Sequence, residues 1–122
     1  MDKNLENKIK NILLECIDDS LDLIKKSSKE IFKITDKNEI IGDNPVTQID
    51  LNSQDLIVNK IKKQFPDHEI LGEEGKEEKK VKSDFLWIID PIDGTKNFIN
   101  QIPFYCVSIA VMHKKEIIGG AV

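Results

Sequence analysis

The chain has 122 residues, of which 39% are hydrophobic and 33% are charged, and its formal net charge at pH 7 is −4. This length suffices for one domain with a hydrophobic core, and the two fractions are typical of a globular protein. The acidic balance argues against a nucleic-acid partner, because nucleic-acid binders carry a basic face. Neither a signal peptide nor an apolar stretch of membrane-spanning length is visible, so we expect a cytoplasmic protein without a membrane partner.

The first half of the chain predicts two helices. Apolar residues recur at three- and four-residue steps from residue 4 to about residue 29, which predicts an amphipathic helix. The alternating run 31–35 predicts a short strand, followed by a turn-rich loop up to Pro45. A second helix is predicted to start at a cap formed by Thr47 or Asp50 and to end at Pro66.

The second half predicts strands. Residues 69–71 and 85–89 are expected to form a short strand and a buried strand, and 104–112 and 117–122 a hairpin that turns across 113–116. The mixed-sign run 76–82 predicts a solvated loop. Together with the helices this pattern predicts an α/β fold in layers, with two long helices on a sheet. No linker marks a second domain, so we expect residues 1–122 to belong to one.

Several side chains that often serve chemistry are predicted to be structural. Cys16 and Cys106 fall in apolar surroundings and are expected to be buried free thiols. His68 and His113 are expected in solvated turns. Trp87 and Phe98 flank an acidic turn, and they are more typical of core residues that hold this turn rigid than of a platform on which a base stacks.

The stretch 87–98 carries the strongest functional signal. An apolar run ends at Asp90, a proline turn follows, and Asp93 precedes a Gly-Thr pair that opens a predicted helix. Two carboxylates at the carboxyl end of a strand can converge on one hard cation, and the free N–H groups of a helix start suit an anion. The ordinary alternative is an Asp-Pro turn followed by an aspartate N-cap.

A second acidic motif favours the metal interpretation. Glu73 and Glu74 follow the apolar run that ends at Gly72, so Glu73 is predicted at the same sheet edge as Asp90. Glu74 is expected to be a solvated loop charge. Three carboxylates at one edge would repel each other unless cations held them together. The sequence therefore predicts a metal site at this edge.

These residues resemble the signature of a known family. Glu73-Glu74 followed by the hexapeptide 90–95 is similar to the motif of the Mg²⁺-dependent, lithium-sensitive phosphomonoesterases. That superfamily contains inositol monophosphatases, 3′(2′),5′-bisphosphate nucleotidases and fructose-1,6-bisphosphatases. Residues 46–50 resemble its upstream Val-Thr-x-x-Asp element, and the resemblance runs from about residue 5 to the end. The resemblance implies that the chain forms the first part of a five-layered αβαβα sandwich. It also implies a homodimer, which is common in the superfamily.

The resemblance also implies a ligand set for two or three Mg²⁺ ions, for which Mn²⁺ can substitute. Glu73, Asp90 and the backbone carbonyl of Ile92 would hold one ion, and Asp90 and Asp93 would share a second. An aspartate from a later Trp-Asp motif completes the second site in the family. That motif is absent before Val122.

The resemblance further implies the catalytic roles. Thr95, with Glu73 or Asp50, would orient and deprotonate the attacking water. Asp93, Gly94 and Thr95 would bind the phosphate of a small phosphorylated substrate. Positioning and charge stabilisation would then supply most of the catalysis.

Three functions stay open on the sequence alone. Residues 102–110 favour an inositol phosphate or related sugar phosphate as substrate, whereas residues 43–47 and Lys96 favour a bisphosphate nucleotidase. The third is a catalytically dead remnant that acts as a metal-binding or dimerising module. The chain resembles the N-terminal half of a family member, and it could be a split gene product or an incomplete piece. Because the later metal ligand is missing, we expect this chain alone to be a weak phosphatase.

Overall fold

The computed structural model describes residues 1–35, 45–72 and 82–122. The elements in chain order are α1 (Lys3–Thr35), α2 (Pro45–Gln64), β1 (Glu69–Gly72), β2 (Phe85–Asp93), α3 (Thr95–Ile99), β3 (Cys106–His113) and β4 (Glu116–Ala121). The strands form a sheet in the order β1-β2-β3-β4, with β1 parallel to β2 and the other pairs antiparallel. Helices α1 and α2 pack on each other and on this sheet. The predicted α/β fold, with two long helices on a sheet, is confirmed.

The core lies between the helix pair and one face of the sheet. Its largest fully buried members come from all three helices, β2 and β3, and include Ile24, Ile57, Ile61, Trp87, Ile89, Phe98, Val107, Ile109 and Val111. Burial alternates along β2 and β3, because successive strand side chains point to opposite faces. On the face away from the helices, the side chains of Leu71 and Ile88 are 57% and 37% exposed.

The two cysteines are free thiols, as predicted. Cys16 is fully buried on α1, and burial raises the pKa of its thiol to about 12. Cys106 is only half-buried, at the start of β3. The prediction of burial is therefore confirmed for Cys16 and too strong for Cys106.

Helix α1 is longer than predicted, and the strand expected at 31–35 is wrong. The helix continues to Thr35, since a short run with apolar residues two and three apart fits a helical period as well as a strand. Adding residues to an existing helix also avoids the cost of a new nucleus. Helix α2 begins at Pro45, before the predicted cap residues, because proline suits the first turn of a helix. No helix within the described ranges is both long and apolar enough to cross a membrane.

His68 does not lie in a solvated turn, and that prediction is wrong. Its ring is buried between Phe65 and Phe85, with ring centroids 4.5 and 4.3 Å away. Its Nδ1 accepts a hydrogen bond of 3.0 Å from Nε1 of Trp87. The chain reverses at Pro66 and so returns the histidine to the start of the sheet. Burial lowers the pKa of His68, with the nearby Lys62 and His113 charges acting in the same direction and Asp67 opposing them.

The predicted hairpin is confirmed. His113 pairs with Glu116, and the turn between them is Lys114–Lys115. Both lysines have a positive φ, 49° and 69°, which is the conformation of a two-residue turn that matches the strand twist. His113 is the last residue of β3, is half-buried and stacks on Phe85 at 4.3 Å, so the prediction that it lies in a solvated turn is wrong.

Candidate metal and phosphate site

Strand β2 does not end at the first aspartate but continues through the proline to Asp93. Asp90 pairs with Ser108 and Asp93 pairs with Cys106 on β3. Two residues, Pro91 and Ile92, therefore lie opposite a single residue of β3, which makes a β-bulge. The predicted proline turn is wrong in this respect. Proline inside a strand is confined to sheet edges and bulges, so Pro91 shortly after the apolar run could have indicated a bulge.

The bulge places the two carboxylates on one face of the sheet. In a regular strand, residues three apart point to opposite faces, whereas one extra residue brings Asp90 and Asp93 to the same side. Their partners Ser108 and Cys106, two residues apart on a regular strand, share that side. Burial, and then the charges of Asp93 and Asp90, raise the pKa of the Cys106 thiol. The charges of both carboxylates therefore affect the same thiol.

Helix α3 starts directly after these carboxylates. Gly94 is its N-cap, with φ 91° and ψ 40°, and its carbonyl accepts a hydrogen bond from the Phe98 N–H at 3.1 Å. The cap is thus a glycine in the left-handed region rather than Asp93, because glycine adopts this conformation without strain. The hydroxyl of Thr95 donates to the carbonyl oxygen of Ile92 at 3.3 Å. That carbonyl is the one assigned to a metal by the family resemblance.

The other predicted residues lie at the neighbouring edge. Gly72, the last residue of β1, pairs with Ile89, one residue before Asp90. Glu73 follows Gly72 in sequence, and both Glu73 and Glu74 lie outside the described residues. A Cβ added at Gly72 would lie 2.5 Å from the Gln54 amide oxygen of α2, so a side chain at this position would require the Gln54 amide to move. Asp50, one turn earlier on α2, is buried with 5% of its surface exposed.

The structure brings together only part of the predicted set. Asp90 and Asp93 share a face, with Thr95 and the Ile92 carbonyl beside them. Within the part of the chain that the structure describes, no three His, Cys, Asp or Glu side chains gather into a metal-binding group. Asp50 is thus not part of such a group there, and the metal and catalytic roles of all these residues stay predictions.

Two clefts open on either side of the carboxylates. Asp90 lines one of about 410 Å³ together with Leu71 and Ile88. Asp93 lines the other, of about 300 Å³, with Asn97 and Phe104.

The segment between α3 and β3 forms one wall of the second cleft. The Asn97 amide donates to the Phe104 carbonyl at 2.9 Å and so ties that segment to α3. Sequence reasoning missed this contact, for which the asparagine in the first turn of α3 was the only signal.

Comparisons with known proteins agree with the motif. A family model described as the inositol monophosphatase family matches residues 6–122. A fructose-1,6-bisphosphatase/inositol-1-monophosphatase of Thermotoga maritima is 48% identical over 77 residues, which cover 63% of this chain and 29% of that protein. Nus factor SuhB of Pseudomonas aeruginosa is 39% identical over 106 residues, which cover 85% of this chain and 39% of that protein.

The fold is similar to that of solved structures of the same kind. The structure of an inositol monophosphatase from Anabaena superposes with a TM-score of 0.75 at 27% sequence identity. The match covers 97% of this chain and 40% of that one. The chain therefore spans less than half the length of the relatives it matches.

Proposed function

Because the chain belongs to the inositol monophosphatase family, we propose that it acts in a Mg²⁺-dependent phosphomonoesterase that hydrolyses an inositol phosphate or a related sugar phosphate. The observation that carries the proposal is the bulge in β2, which turns Asp90 and Asp93 to one side beside the start of α3. An acidic pair next to free helix N–H groups is suited to a cation and a phosphate together.

The donor set fits Mg²⁺. Asp90 and Asp93 supply carboxylate oxygens and Ile92 a carbonyl oxygen, and Mg²⁺ prefers oxygen ligands and is usually bound by one or two carboxylates plus waters and substrate phosphate. Glu73, next to Gly72, is the proposed further ligand, and Mn²⁺ can occupy the same donors. When bound, the metal lowers the pKa of its water and neutralises charge on the phosphate.

The chain's own residues position the water and the ester. The Thr95 hydroxyl donates to Ile92, and its oxygen retains lone pairs that can accept a hydrogen bond from the attacking water. Asp50 or Glu73 would take the proton from that water. The N–H groups of Gly94 and Thr95 would orient the phosphate oxygens, since Gly94 caps α3 and leaves them free of helix partners.

A 3′(2′),5′-bisphosphate nucleotidase is the second candidate. The Phe104 ring is 79% exposed at the cleft that Asp93 lines, and exposed aromatic rings can stack on a base. Lys96, exposed one residue after Thr95, could pair with a second phosphate.

Phosphate release from inositol 1-phosphate and from 3′-phosphoadenosine 5′-phosphate, measured side by side in Mg²⁺, tests both candidates. In a complete family member that contains these residues, we expect Asp93→Asn and Thr95→Ala each to lower turnover by at least ~10²-fold. Asp84→Asn is the matched control, because Asp84 is an exposed aspartate directly before the first residue of β2, at the end of the strand opposite to Asp93. Equal turnover in wild type and both site variants would contradict the proposal, and the ratio of the two substrates chooses between the candidates.

A further inference from the structure

We propose that Ser53 is a positioning residue, whose hydroxyl sets the geometry of the β2 bulge and thereby the convergence of Asp90 and Asp93. The inference rests on the proposed function in so far as that convergence serves a metal. Ser53 acts through the backbone between the two carboxylates, since its hydroxyl donates to the carbonyl oxygen of Pro91.

Ser53 occupies a position where an apolar residue is expected. It lies in a stripe of α2 with four-residue spacing, Ile49, Ser53, Ile57 and Ile61, and no member of this stripe is more than 1% exposed. A buried hydroxyl is unfavourable unless it makes a hydrogen bond. A serine in this stripe therefore needs a partner in the layer below.

That partner is the bulge. The Ser53 hydroxyl donates to the carbonyl oxygen of Pro91 at 3.3 Å, across 38 positions of sequence. Pro91 and Ile92 have no paired residue in the β2–β3 register, and proline has no N–H to contribute. The hydrogen bond thus attaches an irregular segment of the sheet to a helix that is fixed by its apolar stripe.

Two hydroxyls hold the two bulge carbonyls. Ser53 reaches Pro91 from α2, and Thr95 reaches Ile92 from α3 at the same distance of 3.3 Å. Removal of either hydroxyl leaves one carbonyl of the bulge less constrained. A bulge that relaxes toward regular pairing would turn one carboxylate toward the opposite face, because the extra residue alone keeps the two on one side.

The test compares Ser53→Ala with Ser20→Ala in the full chain. Ser20 is also fully buried, but its hydroxyl donates to Ile17 within α1, so the same chemical change occurs away from the bulge. Alanine suits both helices and each variant loses one buried hydroxyl hydrogen bond, so small and similar decreases in the urea unfolding midpoint are expected for both. Ser53→Thr, which retains the hydroxyl, is the rescue variant.

Two quantities are measured. The first is amide hydrogen exchange of residues 92–95 by NMR without metal; we expect faster exchange in Ser53→Ala only. The second is the Mn²⁺ dissociation constant by calorimetry, which we expect to rise by about 10- to 100-fold in Ser53→Ala, the usual effect of losing an outer-shell contact. Ser20→Ala and Ser53→Thr are expected to resemble wild type in both.

Unchanged exchange at residues 92–95 in Ser53→Ala would overturn the inference, whatever the metal does. So would equal changes in Ser53→Ala and Ser20→Ala, which would indicate a general loss of stability. If wild type binds no Mn²⁺, the proposed metal function fails, and the exchange comparison still decides whether Ser53 sets the bulge.

Discussion

The two ends of strand β2 differ in what surrounds them. At the amino end, Phe85 and Trp87 are packed against the buried ring of His68, with a hydrogen bond of 3.0 Å from the indole. At the carboxyl end, Asp90 and Asp93 share one face of an irregular segment that opens into two clefts. One end is a closed aromatic cluster, and the other is an open acidic edge.

The difference teaches how one strand serves stability and chemistry separately. Buried polar groups at the amino end are paired, which favours a single packed arrangement. The two carboxylates at the carboxyl end share one face of the sheet, and like charges placed together favour a cation between them. Changes at the acidic end should therefore alter binding and turnover, and changes at the aromatic end should alter the free energy of unfolding.

The largest expected effect is on turnover. Asp90→Asn should lower the rate of phosphate release by at least ~10²-fold, because a group that stabilises charge in the transition state is lost. The thermal unfolding midpoint without metal should change little, since asparagine has the same shape as aspartate and keeps one side-chain oxygen that can accept a hydrogen bond. A variant that unfolds at a markedly lower temperature would break the division between the two ends.

At the aromatic end, Trp87→Phe should lower the free energy of unfolding by roughly 1–3 kcal/mol, because His68 Nδ1 loses its buried donor. Urea unfolding followed by circular dichroism measures this. Phe104→Leu is the control, since that ring is 79% exposed and contributes little to the core. Turnover per folded molecule should not change in Trp87→Phe; a large fall would show that the two ends are coupled.

Gly94→Ala tests whether the acidic end also has a structural requirement. Gly94 has φ 91°, and an added Cβ would lie 3.1 Å from the Phe104 carbonyl oxygen. The left-handed conformation should cost about 1–2 kcal/mol of stability. Gly120→Ala, whose Cβ would make an ordinary contact of 3.4 Å, is the control in the same thermal unfolding experiment. Equal midpoints for both variants would contradict the requirement.

The smallest effect is a pH dependence at the aromatic end. The folded state lowers the pKa of His68 below its ordinary value of 6.5, chiefly through burial. As the pH falls, His68 therefore takes up a proton in the unfolded chain before it does so in the folded chain. The contribution of His68 to the free energy of unfolding should be complete above pH 6.5 and should decrease as the pH falls below 6.5. His68→Gln, which keeps an acceptor but cannot titrate, should flatten this slope. An equally steep slope in that variant would assign the effect to other groups.

Much of the helical and strand pattern could be predicted from the sequence. The period of α1, the strand at residues 85–89 and the hairpin after it follow from where apolar residues recur. The five residues 31–35 were mispredicted because two periods fit so short a run. His68 was mispredicted because a polar residue after a proline has no sequence signal for the ring stack that buries it.

The sequence by itself determined the family and the identity of the acidic residues, because the motif at 90–95 depends only on residue order. It could not determine which way those side chains face. That depends on one extra residue in β2 relative to β3, and register is a property of two strands paired through space. Only the tertiary structure brings Ser53 of α2 against Pro91, the contact that we propose keeps the two carboxylates on the same side.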